Sequence, residues 1–153
     1  MEEKERKKII LTALNEAHKA FELDEVPVGA VVFDSKTGKI IAKAHNLVEK
    51  SKNPLQHAEM QVIEKALKKI DDKFLGGYSI FITLEPCVMC AGAIAWARLD
   101  GLYYGALDPK TGAIEQGAKV FSRSQTHHKL KVEKWINLEC GALMTQFFKR
   151  KRK

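Results

Sequence analysis

His57-Ala58-Glu59 and Pro86-Cys87-Val88-Met89-Cys90 are the two short stretches on which the reading of this chain turns. Zinc takes nitrogen and sulfur donors, and a catalytic zinc keeps three protein ligands plus one open position for water. His57, Cys87 and Cys90 supply three such donors. Glu59, two residues past the histidine, is then free to move protons rather than bind metal. A Cys-x-x-Cys pair also serves as a redox motif or as half of a structural zinc site. A redox pair has no use for a His-x-Glu elsewhere in the chain. A structural site needs a fourth ligand, for which Cys140, His45, His127 and His128 are the candidates, and none of them sits in a second metal-binding spacing. The expectation is a catalytic site with Glu59 as its proton carrier. A zinc held by two thiolates and an imidazole carries little net charge, so its water needs a nearby base.

Working outward, Asn53-Pro54-Leu55-Gln56 offers a helix cap, a proline at the first helical position and a capping-box glutamine. Met60, Ile63, Leu67 and Ile70 then mark a buried helical stripe. Residues two apart on a helix point to nearly opposite faces. His57 and Glu59 therefore serve one metal only if His57 lies in an irregular first turn, which predicts a regular helix starting at or just before His57. Gly76-Gly77 breaks the chain, residues 78–84 read as a strand, and Pro86 opens a helix over 87–98. Cys87 and Cys90 then share a face at that helix's N-terminal end, where free amides favour thiolate.

Toward the N-terminus, Ile10, Leu14, Ala17 and Phe21 give residues 4–21 a helical period. Residues 26–33 and 39–46 read as a hairpin around a turn at 34–38, followed by a polar loop at 47–53. Toward the C-terminus come a strand at 102–106, a loop at 107–117, a helical turn at 118–121, a strand at 130–136 and a helix at 138–148. This alternation implies one sheet with right-handed crossovers and helices on both faces.

The 153 residues, 45% hydrophobic and 29% charged, suit one soluble domain with a real core. Three cysteines, two of them in the Cys-x-x-Cys, do not make a disulfide framework and suit a reducing cytosol. Charged residues follow Met1 where a signal peptide would be apolar, and the apolar run at 87–97 is too short to span a bilayer. A cytoplasmic protein with no membrane association is expected. The net charge is +7, and Lys149-Arg150-Lys151-Arg152-Lys153 forms a wholly basic end. Such a tail neutralises phosphates or is simply solvated. Lys110, Lys119, Arg123, Lys129 and Lys131 add to this cationic excess, and Lys110, Arg123 and Phe148 are candidates to line a groove for a single-stranded RNA loop. Cys140 reads as a small, buried and inert helix residue.

The pattern H-x-E … P-C-x-x-C is the signature of zinc nucleobase deaminases. Beyond it, Glu25-Val26-Pro27-Val28-Gly29-Ala30-Val31, Asn46, the block from Thr83 to Ala93, Gly105-Ala106, Asp108-Pro109-Lys110-Thr111-Gly112-Ala113 and Phe147-Phe148 resemble the bacterial tRNA-specific adenosine deaminases. The resemblance implies a three-layer α/β/α cytidine-deaminase-like fold around a central five-stranded mixed sheet. It divides the chain into one zinc-dependent deaminase domain, 1–148, and the basic tail, 149–153. It implies one zinc ion per subunit, a homodimer, and conversion of the wobble adenosine of a tRNA anticodon stem-loop to inosine. Asn46 would hydrogen-bond the purine, Val28 and Leu84 would wall the pocket, and the amide of Ala58 would face the base. Asp108 would lie in a loop that approaches the RNA backbone or ribose near the target nucleotide. The residue-level alternatives are core packing for Val28 and Leu84, a strand-end turn for Asn46 and an Asp-Pro turn for Asp108. His127-His128 stands where these enzymes commonly read Asn-His. Trp96, in a segment closer to guanine deaminases, is expected in the core or at a dimer interface.

Two other functions compete. One is a deaminase of free guanine, cytosine or a nucleoside, against which the basic excess and the Asp-Pro-Lys-Thr-Gly block weigh. The other is a zinc-stabilised RNA-binding module without catalysis, which would have no use for Glu59.

Overall fold

The computed structural model describes residues 1–152 and is built around one mixed sheet. Its strands are β1 (Gly29–Asp34), β2 (Ile40–His45), β3 (Tyr78–Ile82), β4 (Gly101–Tyr104) and β5 (Lys131–Lys134), in the spatial order β2-β1-β3-β4-β5. β1 pairs antiparallel with both β2 and β3, whereas β3-β4 and β4-β5 are parallel. The hairpin turn is set by Asp34, whose Oδ1 accepts from the amides of Lys36 and Thr37, and by Gly38 at φ +78°. The helices are α1 (Glu3–Glu22), α2 (Val48–Ser51), α3 (Ala58–Ile70), α4 (Val88–Trp96) and α5 (Leu138–Lys151), with a 3₁₀ turn at Val120–Ser122. This is the α/β class expected from the sequence.

The two-residue period of the strands divides the core between the faces of the sheet. Ala30, Val32, Ile80, Ile82, Leu102 and Tyr104 pack on one face with Val62, Ile63 and Ala66 of α3 and Ala91 and Ile94 of α4. Their neighbours Val31, Phe33, Phe81 and Tyr103 pack on the other face with Ile9 and Ala13 of α1 and with Trp135. Leu14, Ala17, Cys140 and Leu143 then join α1 to α5. β1 and β3 are buried on both sides and read as continuous apolar runs for that reason. At Gly29 the α1 backbone comes so close that an added Cβ would sit 2.0 Å from the Ala13 carbonyl oxygen. Glycine in the strand and alanines in the helix permit that approach.

Several local expectations shift. The helix after Asn53 starts at Ala58, one residue beyond His57, because Asn53 caps a turn instead of a helix: its Oδ1 accepts from the Leu55 amide. Most of the polar loop at 47–53 is the short helix α2, whose Glu49 and Lys50 amides donate to the buried Glu25 carboxylate at 2.9 and 2.7 Å. The fifth strand is limited to Lys131–Lys134 and forms an exposed edge of the sheet. α5 runs on through Lys149, Arg150 and Lys151, so the expected tail boundary at 149 falls inside a helix. Asp24 holds that end, bonding Arg150 at 3.2 Å and Lys151 at 2.5 Å. Arg152 is the C-cap of α5, and Lys153, the last residue of the expected tail, lies outside the described residues.

Candidate active site

The residues before α3 and α4 build the site. His57 and Cys87 are the N-cap residues of these helices, both in extended conformation, with φ/ψ of −67°/154° and −73°/174°. Good N-caps are Ser, Thr, Asp or Asn, whose side chains bond back to the helix amides. Neither His57 nor Cys87 does so. Both side chains turn instead toward one point, where Cys90, in the first turn of α4, joins them. The extended backbone at His57 resolves the conflict raised by the His-x-Glu spacing. His57 stands outside the helix and Glu59 inside it, so the two need not follow helical directions.

Cys90 Sγ lies 3.4 Å from His57 Nδ1, and Cys87 Sγ lies 3.7 Å from it. Zinc bonds of about 2.3 Å to sulfur and about 2.05 Å to nitrogen give a tetrahedral edge of about 3.6 Å. The two observed distances bracket that value, so the donor set fits the ion. Among the described residues, these three form the group of His, Cys, Asp and Glu side chains placed to hold a metal. The four proposed fourth ligands are occupied elsewhere. His45 bonds Glu16 at 3.1 Å, His127 packs at a tilt against Trp96, His128 bonds the Leu99 carbonyl, and Cys140 is buried under Gly105.

The positive ends of two helix dipoles meet at this cluster and favour negative charge there. The Cys87 thiol is lowered to about 4, by its hydrogen bond with Cys90 and, against the effect of burial, by His57. The same Cys90–Cys87 contact, with burial, pushes the Cys90 thiol up. His57 is raised by its hydrogen bond to Cys87, with burial opposing. Beside them Glu59 is only 4% exposed. Burial pushes its carboxyl up to about 7, partly offset by its own backbone amide and by His57. A carboxyl poised there both gives and takes a proton near neutral pH.

The cluster opens into a cavity of about 1070 Å³. Seven of the proposed substrate contacts line it: Val28, Asn46, Ala58, Leu84, Asp108, Lys110 and Phe148. Asn46 is fixed at both ends, Nδ2 donating to the Val26 carbonyl at 3.3 Å and Oδ1 accepting from the Val48 amide at 3.1 Å. Each end retains capacity for one more bond. The Asp108 side chain is occupied as a turn, Oδ1 accepting from the Lys110 and Thr111 amides and Oδ2 from the Thr111 hydroxyl. Arg123 does not line the cavity; its Nε donates to the Ala118 carbonyl at 2.5 Å.

Two parts of the wall had a role that the sequence did not announce. Glu25 resembles any loop carboxylate until its capping of α2 is seen. The face of α5 that carries Gly141, Met144 and Thr145 has no charged or ligating residue to announce it. The tightness of Gly105 against Cys140 helps to fix that helix over the cavity, an added Cβ meeting Sγ at 2.6 Å.

Comparison with known proteins agrees with this geometry. A family model of MafB19-like deaminases matches residues 4–152. The tRNA-specific adenosine deaminase of Agrobacterium fabrum is 43% identical over 150 residues, 97% of each chain. That of Aquifex aeolicus is 41% identical over 140 residues, 92% of this chain and 91% of the relative. A structure solved in a study of A-to-I editing by tRNA:A34 deaminases superposes with a TM-score of 0.81. It is 43% identical and covers 85% of this chain and 98% of its own. Likeness of this extent, over nearly the whole of each relative, makes the chain a member of the tRNA-specific adenosine deaminase family, within the MafB19-like deaminases.

Proposed function

We propose that this chain hydrolyses the wobble adenosine of a tRNA anticodon to inosine, in the cytoplasm, with one zinc ion per subunit held by His57, Cys87 and Cys90. The observation that carries the reading is Glu59, a buried carboxyl beside a three-donor cluster at the inner end of a cavity large enough for an extruded nucleotide. When bound, the zinc supplies Lewis acidity that activates a water as nucleophile. Glu59 takes a proton from the attacking water and delivers it to N1 of the adenine. As the bond from C6 to oxygen forms, that oxygen keeps one proton, which Glu59 then passes to the amino group, so that ammonia leaves as the bond from C6 to nitrogen breaks. Asn46 and the Ala58 amide orient the ring, and Val28 and Leu84 hold its faces and exclude water. Asp108 acts through its turn and Lys110 through its charge on the RNA strand, while Phe148 offers an aromatic surface for stacking.

The subunits pair through the outer face of α4. Trp96 is 72% exposed, its ring tilted against His127 at a centroid distance of 4.4 Å, and Val88 is exposed on the same helix. A large aromatic so placed is unfit for the core and suited to an interface. Among the described residues no helix is long and apolar enough to cross a membrane.

The test is to incubate the zinc-loaded protein with an adenosine-containing anticodon stem-loop, free bases and nucleosides, measuring ammonia and inosine. Ammonia from the stem-loop at the wobble position is expected. Release from free guanine alone would overturn the choice of substrate.

A further inference from the structure

Parallel strands need a long crossover, and a helix usually supplies it because a helix satisfies its own amides. β3 and β4 are joined in that way by α4. β4 and β5 are not: residues 105–130 connect them with one 3₁₀ turn and otherwise irregular backbone. That connection forms the cavity rim from Gly105 to Thr111, so something outside it must fix its shape.

Glu85 does this. Its side chain is buried, the residue being 2% exposed. Oε1 accepts from the Asp108 amide at 3.0 Å and from Gln116 Nε2 at 3.3 Å. Oε2 accepts from the amides of Ile114 and Glu115 at 3.0 and 2.8 Å. Among the described residues it forms no ion pair with Lys, Arg or His. Its charge is held by the loop alone. Burial raises its carboxyl, and the bonds from Asp108, Glu115, Ile114 and Gln116 more than reverse that, leaving it below the ordinary range. Two backbone bonds close the same seam, from the Glu85 amide to the Ala106 carbonyl at 2.8 Å and from the Ala113 amide to the Pro86 carbonyl at 3.0 Å. The fit is tight from the loop side as well: a Cβ on Gly112 would lie 2.5 Å from Glu85 Cδ.

Glu85 stands two residues before Cys87. One short segment thus carries two of the metal donors and the clasp on the rim. We propose that Glu85 is a positioning residue for the RNA substrate, fixing the 108–116 loop at a set distance from the reacting centre. It touches neither the reacting atoms nor the metal, and acts through the loop. This rests on the function proposed above.

Glu85→Gln replaces an acceptor oxygen with an amide that cannot accept from the loop. Gly112→Ala presses on the same carboxylate from the opposite side, and on the Asp108 carbonyl within the loop, and leaves the strand untouched. Each variant, zinc-loaded, is expected to raise KM for the anticodon stem-loop at least tenfold while kcat at saturating RNA stays within threefold. Zinc content should be unchanged, and amide exchange at Asp108, Ile114 and Glu115 should quicken. If Glu85→Gln does not fold, Gly112→Ala decides alone. KM within twofold of wild type despite faster amide exchange would reduce Glu85 to a purely structural residue and overturn the proposal; so would a loss confined to kcat. A wild type that releases no ammonia from the stem-loop overturns the function and this role together, whereas an active wild type with unaffected variants overturns this role alone.

Discussion

Glu59→Gln separates what the buried carboxyl does for catalysis from what it costs the fold. The side chain is 4% exposed, and its pKa is raised by burial from 4.5 to about 7. A group whose folded pKa lies above its unfolded value favours the folded state at low pH and opposes it progressively as pH rises toward the folded pKa. Below about pH 4.5 the carboxyl is protonated in both states and contributes nothing to the difference. Above about pH 7 the full cost applies, about 3 kcal/mol at about 1.4 kcal/mol per pH unit. Glutamine has the same shape and no proton to lose. Zinc-stripped Glu59→Gln, kept reduced, should therefore be more stable than zinc-stripped wild type. The gap should open between about pH 4.5 and pH 7 and then level near 2–3 kcal/mol. Urea titrations at pH 4.5, 6 and 8 read it directly as midpoint differences at constant slope. The zinc-loaded variant should keep its metal and lose on the order of a hundredfold or more in kcat, as removal of a general acid-base does. A variant no more stable than wild type at pH 8, or a gap that does not widen with pH, would refute the assignment of burial as the cause. A near-normal rate would remove the proton-carrying role.

Three further outcomes are expected. Gly29→Ala drives a methyl into the α1 backbone at Ala13 and Ala17 and should cost about 3 kcal/mol, seen as a lower urea midpoint with zinc bound. Trp96→Glu places a charge on the exposed face of α4 and should convert a dimer to a monomer in sedimentation velocity, with the fold intact by circular dichroism. Glu16 is pushed up by burial but held below the ordinary range by Lys19 at 2.6 Å and His45 at 3.1 Å. Its contribution is present above about pH 4.5 and fades as pH falls through the folded value, so the stability gap between wild type and Glu16→Gln should shrink from pH 7 to pH 3 in urea titrations.

How far the sequence carried the structure depended on how tightly chemistry ties residue type to spacing. His57, Cys87 and Cys90 were legible because zinc accepts few donor types and the Cys-x-x-Cys offset suits a helix start. The helices at α1 and α3 were legible because their buried faces repeat with the helical period. The start of α3 was legible to within a residue, because Asn53-Pro54 has the chemistry of a helix cap and of a turn alike and the need to turn His57 outward decides between them. The end of α5 was misplaced because a run of cations resembles a solvated tail, while Asp24, far away in sequence, is what holds it. The clasp at Glu85 was illegible for a similar reason: a glutamate followed by proline gives no sign of the amides it will meet more than twenty residues later.

The strand β5 closes one border of the sheet with Lys131, Glu133 and Lys134 along a row of only four residues. A border so short and so charged is a poor template for another chain's backbone. Two copies that met there would bring like charges together and gain few main-chain bonds. Self-association by growth of a continuous sheet is thereby discouraged. The pairing proposed through the helical surface bearing Trp96 would need no strands added to either sheet.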